Sequence, residues 1–240
     1  MSQLRSLRSI PPLLLLLLMA ISSLGCGSFW ASVREGERSR AQSQANTYFK
    51  DGRCDRVLRK LDRSEAAQDI GRYGAVATYQ RAVCLEKLGA KQSGWANYRM
   101  LLDFYPDDSV ASLARDALPK EGASPSISQL RAEVASLPMP SQIKIPSPRY
   151  TDTAERSGMV GDIVVTFMIT GDRRISDIRV VQMDHPLLAS WAIEAVSNIN
   201  VTPAAASLPL PMRSAARIVF SSFWHEDGRK DDREKSNSKN

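Results

Sequence analysis

The sequence predicts an all-α helical repeat followed by a small α+β domain with an antiparallel three-stranded sheet. Three observations carry this. Residues 41–118 twice run through a helix, a tight turn at glycine (Gly52, then Gly89) and a second helix. Residues 119–148 contain six prolines and read as a linker. Residues 149–224 hold three stretches of strand character, with an amphipathic helix before the last.

Composition narrows the functions open to such a chain. Its 240 residues are 43% hydrophobic and 24% charged, which is globular rather than disordered. The net charge of +6 is modest and spread out, without the dense basic patch of a polyphosphate binder, so no nucleic-acid partner is expected. Two His and three Cys leave no His/Cys metal cage and little acid–base chemistry near neutral pH. No cofactor or metal is implied.

Residues 1–25 read as a signal peptide. Arg5 and Arg8 precede six leucines, Leu13 to Leu18, and the apolar run ends in small residues. It is shorter than the roughly 20 residues a spanning helix needs. The ending Ser23-Leu24-Gly25-Cys26 resembles the bacterial lipoprotein box, with Ser23 where Leu is usual. That resemblance implies lipidation of Cys26. A plain cleaved signal and a short uncleaved anchor are the other readings, and each exports the chain. Residues 26–40 are a polar lead.

In the helical part, Tyr48, Gly52, Val57 and Leu61 recur 37 residues later as Leu85, Gly89, Gly94 and Tyr98, and Pro106 closes the unit. Glycine ends helices where a left-handed residue is needed. The small residue at Gly94 or Val57 lets paired helices approach. Asp107 and Asp108 cap a last helix, Ser109 to Leu118. The pattern resembles the tetratricopeptide repeat, which implies a scaffold surface; a generic helical hairpin bundle is the other reading. Cys54 opens one helix and Cys84 lies late in the next, with the turn near Asp69 between them. Antiparallel neighbours put these thiols side by side, and an exported chain meets an oxidising compartment. A disulfide is expected, contributing about 3 kcal/mol; two buried thiols are the alternative.

The C-terminal elements follow in order. Tyr150 to Ser157 is a helix-like turn stopped by Gly158. Asp162 to Ile169 alternates around Ile163, Val165, Phe167 and Ile169, a strand. Thr170 to Arg173 turns, and Ile175 to Gln182 is the second strand. Asp184 and Pro186 begin a helix that reaches Asn198. Pro203 to Pro211 is an extended connector, and Ser214 to Phe223 is the third strand. The tail, residues 225–240, balances five acidic against five basic residues and reads as disordered.

Several of these pieces resemble the C-terminal domain of TonB-type proteins: Pro148-Arg149-Tyr150 with Ala154 and Gly158, the strand from Gly161 to Ile169, Gly171 with Arg174 to Val181, His185-Pro186-Leu187-Leu188 with Ala192, Ala195 and Val196, then Pro203-Ala204 and Ile218 to Phe220. Thr151 departs from the usual Pro, and Asn198 to Val201 replace the usual aromatic residues. The resemblance implies a binding module that takes a peptide of an outer-membrane transporter, or of another envelope protein, as an extra strand. The expected docking strand presents Arg213, Ala215, Arg217, Val219 and Ser221, with Arg213 and Arg217 suited to an acidic peptide or, equally, to plain solvation. A true transducer would also engage ExbB and ExbD, but neither a convincing membrane helix nor a long linker is present. An adaptor is therefore expected, on the bacterial envelope, facing the periplasm, lipid-anchored, with the outer membrane favoured by Gly27. An enzyme is not expected: His185 reads as a cap or turn residue, His225 lies in the tail, and no nucleophile stands with a base and an orienting group.

Overall fold

The structure is a computed structural model. It describes residues 12–119, 125–140, 143–201 and 209–222, with side chains from residue 29 onward. The first eleven residues, most of the Pro203–Pro211 connector, Trp224 and the 225–240 tail lie outside the described residues, as does the side chain of Cys26.

Helix α1 spans Pro12–Lys50. The chain divides into one unit up to Ala41 and a second from Gln42. The first unit is helical throughout its described length, so the polar stretch 26–40 continues the helix. Phe29 and Trp30 are exposed there, their rings edge to face at 5.6 Å. No helix among the described residues is long and apolar enough to cross a membrane.

The second unit starts with antiparallel helices: α2 (Cys54–Ala67), α3 (Gly74–Lys87) and α4 (Lys91–Phe104), then the short α5 (Ala111–Ala117). Gly52 and Gly89 end the preceding helices at φ +69° and +90°, the left-handed region that glycine enters without strain. At Gly94 an added Cβ would lie 3.0 Å from the Ala82 carbonyl oxygen, so α3 and α4 meet only because that side chain is missing. Cys54 and Cys84 form a disulfide with Cα atoms 4.8 Å apart. Asp108 accepts the Val110 N–H, and α5 begins two residues later than Ser109.

After α6 (Ile127–Glu133) and the five-residue α7 (Asp152–Arg156) come β1 (Gly161–Ile169), β2 (Ile175–Met183), α8 (Pro186–Ser197) and β3 (Met212–Phe220). The sheet is antiparallel in the order β2-β1-β3. Helix α8 begins at Pro186 because that residue lacks the N–H which a first turn leaves unpaired. Its N-cap is His185, whose Nδ1 accepts the Leu187 N–H. Asp184 instead accepts the Asp162 N–H and ties the β2 end to β1.

Two parts that the proline-rich stretch separates in sequence share one core. Ala66 of α2 with Ala96 and Met100 of α4 join the cluster of Ile163, Phe167 and Trp191. Charges fix the same interface. Asp103 of α4 takes a forked bond from Arg179 of β2, at 2.8 and 3.1 Å, and Arg99 meets Asp177 at 3.3 Å. Nearby, the buried Arg81 bridges Asp62 and Glu65, and Asp62 also holds Arg149. Burial opposes the Arg81 charge, yet Glu65 and Asp62 outweigh it and lift the guanidinium above its ordinary value.

Candidate functional site

Strand β3 pairs with β1 from Met212↔Ile169 to Phe220↔Gly161. Ser214, Ala216, Ile218 and Phe220 turn their side chains into the core, while Arg217 and Val219 face solvent. Val219 is 61% exposed, the signature of a strand with one dry face. The Ala215 N–H points away from β1 and donates to the Pro138 carbonyl at 3.4 Å. Backbone groups alternate sides along a strand. The N–H and C=O groups of Arg213, Arg217 and Val219 therefore also point away from β1. Among the described residues, the Pro138 bond is the one backbone link on that outer side. Ser221 lies just past the end of the strand.

The expected docking strand is thus a sheet edge, capped near its start by the linker and open toward its end. Its two arginines are not free. Arg213 reaches across the sheet to Asp177, and Arg217 pairs with Asp162. Hydrogen bonding and attraction from Asp162 raise the Arg217 guanidinium above its ordinary value. An acidic partner would have to compete with these carboxylates.

The opposite edge is covered. Helix α6 lies beside β2, and Arg131 donates to the Val181 carbonyl at 2.9 Å. Arg179 adds a bond to the Pro125 carbonyl at 3.0 Å. A bulge places Asp177 at φ +43°, where its carboxylate meets both Arg99 and Arg213. This bulge was not legible in the sequence, because Asp177 reads as one more polar position on a strand.

The entry segment is pinned against the sheet. Tyr150 packs against Trp191 and Phe220 and donates its hydroxyl proton to the Met159 carbonyl. Burial pushes the Tyr150 phenol above its ordinary range. Arg149 lies over the Trp191 ring at 5.4 Å. Burial holds His185 below the usual imidazole value despite the pull of Asp69, so it is a neutral cap at neutral pH. Among the described residues, no cluster of three His, Cys, Asp or Glu side chains could hold a metal.

Among the described residues, the sheet is braced by helices along β2, while β3 keeps an outward backbone edge. Residues 146–221 match the family model of the Gram-negative bacterial TonB protein C-terminal. The match assigns that segment to the TonB C-terminal family and covers about a third of the chain. No curated protein and no solved structure matches the chain.

Proposed function

We propose that the chain is a cell-envelope lipoprotein acting as a periplasm-facing adaptor. The β3 edge takes a segment of an outer-membrane transporter, or of another envelope protein, as a fourth strand. The tetratricopeptide-like helices hold a second partner, and a lipid on Cys26 anchors the chain, with the outer membrane favoured. The observation that carries this reading is the outward backbone of Arg217 and Val219 on a strand that, among the described residues, pairs with another strand on its inner side alone. Because the helical part and the sheet share a core, both partners would sit on one continuous body.

A second reading is a membrane-anchored energy transducer engaging ExbB and ExbD. Its anchor would be the leucine-rich start of α1, left uncleaved. Mass analysis of the mature N-terminus separates the two. An acylated Cys26 supports the adaptor, and an intact Met1 supports the transducer.

Docking is tested on the full chain with peptides from the periplasmic segments of outer-membrane transporters. The bound peptide should slow hydrogen exchange at Arg217 and Val219. Unchanged exchange at both amides with every peptide would remove the strand-addition reading.

A further inference from the structure

The sequence shows no dense basic patch, yet folding builds one. A cleft of about 740 Å³ lies between α2 and the entry segment of the sheet domain. Its lining carries Arg56, Arg59, Lys60 and Arg63 of α2 with Arg149 from 86 or more positions further along the chain. Against these five cations the lining holds one carboxylate, Asp62.

The spacing explains the convergence. Positions 56, 59, 60 and 63 follow i, i+3, i+4 and i+7, so they share one helix face over about 10 Å. Like charges three and four residues apart repel and weaken a helix. Only part of that repulsion is answered within the chain. Arg59 pairs with Asp55 at 2.6 Å, and Arg149 is held by Asp62 and Glu194. Arg56 lies over the Tyr48 ring at 5.9 Å, while Lys60 and Arg63 have no ion pair among the described residues. The stripe does not stabilise the fold, and a bound anion would relieve it.

We propose that this cleft binds a compact ligand carrying two or more phosphate groups. Guanidinium forks match phosphate oxygens in pairs, and Lys60 adds a point charge. Tyr48 and Thr153 bring hydroxyl donors to the same lining. The volume falls in the range of small-ligand sites. An acidic peptide fits less well, because the walls are side chains of a helix and a turn and offer no strand edge for an extended backbone. The site is separate from the β3 edge, so the chain can dock a partner strand and a phosphorylated ligand together.

Calorimetric titration of the full chain with inorganic tripolyphosphate tests this. Each charge-assisted bond lost is worth about 1.5–3 kcal/mol, so Lys60→Gln and Arg63→Gln should each weaken binding about tenfold or more. Arg115→Gln, on the exposed face of α5, should leave it unchanged. Chemical-shift changes on titrating the wild-type chain should cluster at residues 48–63 and 149–153, a readout that needs no variant. Vesicles containing cardiolipin, whose headgroup carries two phosphates, that compete with tripolyphosphate, where phosphatidylcholine does not, identify a lipid headgroup as the source. Indifference to both vesicles identifies a soluble phosphorylated compound. Equal affinity in Lys60→Gln, Arg63→Gln and wild type, shifts scattered outside the cleft, or tighter binding of a polyglutamate peptide than of tripolyphosphate would each overturn the proposal.

Discussion

The β2 edge carries Asp177 and Arg179, and the β3 edge carries Arg213 and Arg217, so both margins of the sheet are charged. On β2 the charges face α4, where Arg99 and Asp103 stand one turn apart with the opposite order of sign. The pairs interlock, α6 adds Arg131 to the strand's carbonyl, and the edge is closed. On β3 the charges pair within the sheet domain itself, and the outer backbone meets only the Pro138 carbonyl among the described residues. Similar residues close one edge and leave the other open because, among the described residues, α4 and α6 pack against β2 and no helix packs comparably against β3. The difference locates docking on β3.

The most severe way to break this arrangement is to remove the carboxylate from the closed edge. Asp103→Ala strands the Arg179 side chain, which is 8% exposed, without its charge partner. An uncompensated buried charge costs about 3–5 kcal/mol. The loss is read from the urea midpoint at constant slope. Arg217→Ala breaks a pair whose arginine is 67% exposed and should move the same midpoint far less. Equal effects from the two variants would mean that the edges are not finished differently.

Reducing the Cys54–Cys84 bridge acts on α2 and α3, and α3 packs on α4, the helix that braces β2. Opening that cross-link should cost about 3 kcal/mol of stability. Hydrogen exchange at Arg217 and Val219 should not change, because β3 contacts none of the tethered residues through its outer side. Accelerated exchange there on reduction would show that the helical part also guards the open edge.

Proline substitution sharpens the comparison one residue at a time. The Ile218 N–H points toward β1, and the Val219 N–H points away. Ile218→Pro removes a ladder bond and leaves a buried carbonyl unpaired, at about 1–3 kcal/mol. Val219→Pro removes a donor that only an added strand would use, and edge strands tolerate proline at such positions. The expected outcome is an unaltered urea midpoint with loss of peptide-induced protection. Equal destabilisation by both variants would place the outer amide in a bond that the edge reading denies.

Periodicity made the sheet readable in advance. Ile163, Val165, Phe167 and Ile169 alternate so cleanly that one face had to be buried, and all four are. Pro186 marked the start of α8, and Gly52 and Gly89 marked the helix turns. The closure of β2 was not readable. Arg99, Asp103, Asp177 and Arg179 look like solvated charges in sequence, since their pairing spans 76 positions between Asp103 and Arg179. The proline-rich stretch read as a spacer, whereas the parts on either side of it pack together and Pro138 lends its carbonyl to β3. The basic cleft was hidden for the same reason. Four of its cations lie on one helix, interleaved with Val57, Leu58, Leu61 and Asp62, and the fifth arrives from the sheet domain. Local pattern shows what a segment becomes, and distant charge pairs decide which of its faces stay free.

The smallest expected effect is a pH dependence confined to the closed side. His185 caps α8 directly after β2, with Nδ1 accepting the Leu187 N–H. Protonation would turn that acceptor into a donor and break the cap. Burial lowers its folded value below the ordinary 6.5, so the unfolded chain takes up the proton first as pH falls. The unfolded state then binds more protons than the folded one, and stability drops. The contribution is whole above about pH 6.5 and declines as pH falls toward the depressed folded value. Asn at this position keeps a capping oxygen and cannot titrate. The melting temperature of the wild type should therefore fall between pH 7 and pH 5.5 by more than that of His185→Asn. Exchange at Leu187 should quicken over the same interval while Ala216 and Ile218 keep their protection. Parallel melting curves for the two proteins would show that His185 does not titrate in this range, and faster exchange at Ile218 would show that the two edges respond to acid as one.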